Sequence, residues 1–340
     1  MLGDLTMAQS DAVARSIAIL LWMVLPVVGG YLLWRLWLRR REGGEALASR
    51  IARITSQTSI LGVVSPMLVL VFWTSSLPAG KAVALPVLGL LIHVLGGAAG
   101  WAMARVAGWG APFRGACFLG GASSNILTFG GIVTVLLLGT HGDPHAERAL
   151  GEMSLYRICE APFYYLVAWP LAAVLAARGE GEGGWAGAFR RSFQPFTLVP
   201  LAAMALGWAL NLAKVARPGA LDGAAALLVR VNVTLLGVTV GLTLRRAALA
   251  RQWKCCLGMS AIKFLLLPAV AVGAAWLLGF SGTTLQVVAV CASMPVAFMA
   301  VVGGNLVGLD EEVLGSLWLF TTAAMLVVVP LLALGLPLLV

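Results

Sequence analysis

The sequence predicts an all-α polytopic membrane protein: ten transmembrane helices in two inverted five-helix repeats, with helices 4 and 9 broken where they cross. Three observations predict it. Hydrophobic residues make up 60% of the chain and charged ones only 11%, with a mean hydropathy of +0.95. Apolar stretches of spanning length follow one another almost without gaps. The stretches also fall into two sets of five that register on each other at an offset of 170 residues.

A span takes about 20 mostly apolar residues. Such stretches lie at 16–38, 55–76, 82–107, 115–139, 149–177, 194–213, 220–244, 255–279, 282–305 and 312–338. The longest gap is too short to fold alone. The chain therefore divides into a first repeat, 1–177, a cytoplasmic linker, 178–193, and a second repeat, 194–340. No soluble catalytic domain fits between them. The start, "MLGDLTMAQSDAVARS", has no basic leader and no obvious cleavage site, so span 1 is expected to stay in the protein.

The net charge is +9, which could point to nucleic acid, but its distribution points elsewhere. Arg39, Arg40, Arg41, Arg50 and Arg53 follow span 1, and Arg245, Arg246, Arg251 and Lys254 fill the gap between spans 7 and 8. Arg105, Arg114, Arg178, Arg190 and Arg191 occupy the other gaps on the same side, and the opposite gaps hold few cations. The positive-inside rule puts the rich side in the cytoplasm. Both termini are then outside a cell inner (plasma) membrane. No nucleic-acid partner is expected. The five cysteines have no metal-ligand spacing and no disulfide framework, and packing is expected of Cys255 and Cys256 rather than acylation.

The offset lays "GASSN" at 121–125 on "CASMP" at 291–295, so Asn125 falls on Pro295, His93 on Lys263 and Glu160 on Pro330. Five spans is an odd number, so the second half runs the opposite way through the membrane, as in many secondary transporters. Span 4 carries Gly120-Gly121, then Ser123, Ser124 and Asn125, then Gly130-Gly131. Span 9 carries Ser293, Pro295 and Gly303-Gly304. Proline lacks a backbone N–H and clashes with the preceding turn. A carbonyl freed in hydrocarbon must find a partner. The weakening of both helices at repeat-related positions predicts a midplane ligand site where spans 4 and 9 are discontinuous.

Ionisable residues inside spans are costly and mark function or pairing. Arg157 and Glu160 are three apart and should pair. Arg230, beside Asn232, has no acid within four residues and is the candidate carboxylate ligand through its guanidinium fork. Lys263 is expected either to reach inward to the cytoplasmic water or to add positive charge at depth. His93 is expected to hydrogen-bond across helices, with proton carriage as the alternative. Cationic groups outnumber Glu160 in this set, which favours an anionic substrate.

The stretch "ASMPVAFMAVVGGNLVGLDEEVLGSLWLFTTAAMLVVVPLL" resembles the auxin efflux carrier family, PIN-like transporters related in fold to bile-acid/sodium symporters. "LLGVTVGLTL" at 235–244, "SPMLVLVFWTSSLP" at 65–78 and "NILTFGG" at 125–131 are similar to other parts of that family's pattern. Where members often have proline, this chain has Ser124, Ile132 and Thr234, so a less sharply bent first crossover is expected. The resemblance implies ten helices, a crossover of spans 4 and 9, and carriage of small organic carboxylates. Its site maps onto Asn125 with Ser123 and Ser124, and onto Pro295 with Ser293.

The reading is a secondary active transporter of small organic anions, not an enzyme, with no cofactor and no metal. Its partners are the anion and the lipid bilayer, and a homodimer is compatible with it. No Walker loop is present to drive pumping, and no metalloprotease or serine-hydrolase motif occurs. The alternatives are a sodium-coupled symporter of bile-acid type, short of acidic ligands here, and a non-transporting membrane sensor module.

Overall fold

The structure, a computed structural model, describes residues 24–74, 80–139, 144–177, 187, 193–221, 223–243 and 246–339. Each predicted stretch is mostly helical over its described residues, and no strand occurs among them. In chain order the helices are α1 (Val24–Leu38), α2 (Gly44–Trp73), α3 (Gly80–Val106), α4 (Ala111–Ala122), α5 (Gly131–Leu138, entered by a π turn over Ile126–Gly130), α6 (Arg148–Ala176), α7 (Pro195–Leu212), α8 (Ala224–Thr243), α9 (Ala250–Leu277), α10 (Gly282–Ala292), α11 (Phe298–Val307) and α12 (Glu311–Leu339). Six of them, α2, α3, α6, α7, α9 and α12, are long and apolar enough to cross a membrane. The start of span 1, nearly all of the linker and residues 140–143 lie outside the described residues.

The second stretch begins earlier than its hydropathy indicates. Helix α2 starts at Gly44, after Gly43 in the left-handed region at φ 73°. Its first turns are amphipathic, with Ala48 and Ala52 buried between exposed polar residues. A window average sees little in such a segment, because half of it is polar.

Proline shapes the long helices. Pro66, Pro170 and Pro268 each follow a π turn, at Ser59–Val64, Tyr164–Ala168 and Ile262–Leu266. The missing N–H and the bulk of the ring loosen the preceding turn into a wider one. The turn before Pro268 carries Lys263 and the one before Pro170 carries Tyr164 and Tyr165.

Spans 4 and 9 are each two helices. Non-helical residues 123–125 separate α4 from the π turn, and 293–297 separate α10 from α11. The first break forms without a proline before Asn125. Its physical cause is described with the site below. Backbone approaches backbone where α3 meets α4: a Cβ on Gly96 would stand 2.3 Å from the Gly121 carbonyl oxygen. Only glycine permits that contact, and it delivers the end of α4 against the centre of α3.

After the second break the chain returns through Gly308, left-handed at φ 77°, into α12. Asp310 caps that helix by accepting the Val313 N–H at 3.1 Å, with Glu311 and Glu312 in the first turn. Acids there suit the positive end of the helix dipole.

Candidate functional site

The two breaks meet. The Asn125 N–H donates to the Pro295 carbonyl oxygen at 2.8 Å. The Val296 N–H donates to the Thr321 hydroxyl of α12 at 3.1 Å. Groups freed by the unwound backbone are thus paired across helices, as an apolar surrounding demands. Ser123, Ser124, Asn125 and Ser293 are all buried.

The C-terminal end of α4 is covered by two cations or donors from the flanking helices. Lys263 is fully buried, and its Nζ donates to the Gly121 carbonyl at 2.7 Å, the Ser123 carbonyl at 2.6 Å and the Ser124 hydroxyl at 2.9 Å. His93 Nδ1 lies 2.8 Å from the Ala122 carbonyl. A carbonyl can only accept, so Nδ1 carries the proton in this contact. The last carbonyls of a helix have no partner within it and carry its negative dipole end. This is the cause of the first break: Lys263 and His93 hold the carbonyls that continued helix would have used. Lys263 does not reach the cytoplasmic water as one expectation had it, because three oxygen acceptors lie closer. His93 hydrogen-bonds across helices, as expected.

Arg157 and Glu160 form the expected pair, Nε to Oε2 at 3.0 Å, where α6 is interrupted at 157–159. Tyr164 links that pair to the first break. Its hydroxyl accepts the Ser124 N–H at 2.9 Å and lies 3.1 Å from Glu160 Oε1, to which it donates. Tyr164 was not singled out from sequence. Its signal was its place one turn after Glu160, on the same helix face.

Beside the crossover is a cavity of about 80 Å³. Its polar lining is Ser124, Asn125, Arg157, Glu160, Tyr164, Tyr165 and Asn232. Val64, Met67 and Leu68 of α2, Val233 and Leu236 of α8, and Phe298 and Met299 of α11 supply the apolar wall. Asn125 Nδ2 and the Tyr165 hydroxyl are buried and find no hydrogen-bond partner among the described residues. Asn232 Oδ1 accepts from the Ser59 hydroxyl at 2.5 Å.

Of the residues the sequence proposed as substrate-binding, Asn125 and Ser124 line this cavity. Ser123 and Ser293 turn their hydroxyls to carbonyls of their own helices, Gly120 at 3.4 Å and Ala289 at 2.8 Å. Pro295 contributes its carbonyl to Asn125 and does not line the cavity. Arg230 is exposed on α8 and does not line the cavity, and the guanidinium at the cavity belongs to Arg157. Cys255 and Cys256 are buried, and Cys255 Sγ lies 3.4 Å from Cys117 Sγ.

Long apolar helices around a buried polar crossover define a multi-pass membrane protein with an internal polar-lined cavity. Residues 189–333 match the family described as Membrane transport protein, which includes the auxin efflux carriers. The match covers α7 to most of α12, including the second break and Lys263. It agrees with the resemblance carried by residues 292–330. No curated protein matches the chain.

Proposed function

We propose that the protein is a secondary transporter of small organic anions, working by alternating access around the crossover of two inverted five-helix repeats in the cell membrane. One observation carries this reading: the two broken helices meet at Asn125 and Pro295 beside a cavity that holds an unpartnered amide and a guanidinium. An unpaired buried N–H is costly unless a ligand or water completes it. The Asn125 amide and the remaining N–H groups of Arg157 are donors, and donors suit a carboxylate.

The wall bears on the substrate's body. Phe298, Met299, Met67 and Leu236 give nothing for a second carboxylate to bond to. A monocarboxylate with an apolar body fits better than a dicarboxylate. The basic gaps, Arg39–Arg41 among them, support cytoplasm on that side.

The test is a thermal-shift series on the purified protein with mono- and dicarboxylates and organic cations, followed by uptake into proteoliposomes. A ligand of the folded state raises the midpoint by mass action. Saturable stabilisation and uptake with apolar monocarboxylates are expected. Preference for organic cations would overturn the reading.

A further inference from the structure

Lys263 is a complete cation site with its cation tethered. Its ammonium has three N–H donors, and the structure gives it three oxygen acceptors: the Gly121 and Ser123 carbonyls and the Ser124 hydroxyl, at 2.6–2.9 Å. The side chain is fully excluded from solvent. No carboxylate touches the ammonium among the described hydrogen bonds. The nearest part of the polar network is reached through Ser124, whose N–H bonds to Tyr164 and thence to Glu160.

A charge buried without a counter-ion is expensive in a membrane helix. Here the compensation comes from dipoles. The carbonyl end of α4 carries the negative pole of its helix, and its Gly121 oxygen converges on Nζ together with the Ser123 oxygen of the break. Converging carbonyl and hydroxyl oxygens are also what an alkali cation takes in exchange for its water shell. The cage and the cation come from different helices, α4 and α9, so the ammonium can be removed without removing the oxygens. The wide turn before Pro268 positions it.

We propose that the Lys263 ammonium is a resident cation at the crossover, occupying an oxygen cage that becomes a site for a free monovalent cation once the side chain is shortened. It holds the first break open permanently, without a bound metal ion. On the proposed function, on which this consequence rests, carboxylate transport needs no sodium at that cage.

The experiment is the thermal unfolding of purified wild type and Lys263→Ala in sodium, potassium and choline chloride at equal ionic strength, and with n-propylammonium added. Wild type should show the same midpoint in all three salts. Lys263→Ala should unfold earlier, and an alkali cation or n-propylammonium, unlike choline, should raise its midpoint saturably. A sodium-specific, saturable shift in wild type overturns the proposal, since the cage would then admit an ion beside Lys263. A folded Lys263→Ala that responds to none of the small cations overturns it too. Should that variant fail to fold, Lys263→Gln decides, since it keeps N–H donors, one bond shorter in reach, without the charge. It should be less stable than wild type, and equal stability overturns the need for a cation. None of these readings requires transport. A protein that carries no carboxylate can still pass them, and one whose carboxylate uptake saturates with sodium at Lys263 fails this proposal alone.

Discussion

The N–H of Asn125 donates to the carbonyl oxygen of Pro295 at 2.8 Å, joining two residues 170 positions apart in the chain. These are the residues that the 170-residue offset read from the sequence lays on each other. The bond uses main-chain atoms only, so the Asn125 side chain is free for another task, and its Nδ2 is unpartnered at the cavity.

Asn125→Leu should therefore fold and abolish carboxylate binding. The backbone N–H survives the substitution, and only the amide is lost. Thermal unfolding without ligand should stay close to wild type, while the ligand-induced rise in midpoint disappears. A variant that keeps the ligand shift removes the amide from the site.

Arg157→Gln and Arg230→Gln should separate. Arg157 lines the cavity, and its loss should weaken carboxylate affinity at least about tenfold, which corresponds to about 1.4 kcal/mol. Because Glu160 is left without its partner, the double variant Arg157→Gln/Glu160→Gln is needed beside it. Arg230 is exposed, and Arg230→Gln should bind as wild type does. Titrations by tryptophan fluorescence or calorimetry measure both, and the reverse ranking would return the contact to Arg230.

Tyr164→Phe should destabilise the protein by about 1–3 kcal/mol, since the Ser124 N–H and Glu160 Oε1 both lose a partner in a buried place. Chemical unfolding in detergent measures it. Stability equal to wild type would mean that the hydroxyl does not link α6 to the break.

For topology, Glu42→Cys and Gly142→Cys, each in a background lacking the five native cysteines, should differ in labelling by an impermeant thiol reagent. Glu42 is the better inner probe because neighbouring Gly43 is left-handed at φ 73° and would be strained by a side chain. Gly142→Cys alone should label from outside intact cells. Labelling of Glu42→Cys alone would invert the assignment.

Composition and hydropathy alone decide that the chain is helical and belongs in a membrane, because backbone in hydrocarbon has few other ways to pair its polar groups. The breaks at 123–125 and 293–297 were legible too, from serines, glycines and Pro295 at matching places in the two halves. The Arg157–Glu160 pair was legible because helical spacing alone brings those side chains together. The amphipathic first turns of α2 were not, since averaging hides a face that is buried only by its neighbours. Nor was the role of Lys263. The offset paired it with His93, but a lysine a third of the way along an apolar helix is equally placed to reach for water or to turn inward. What settled it was the end of α4 arriving beside α9 with unpaired carbonyls. That is a meeting of segments about 140 residues apart, and no local pattern encodes it. The same holds for Arg157 and Arg230: sequence shows a cation at depth in each helix, and only packing decides which of them faces the cavity.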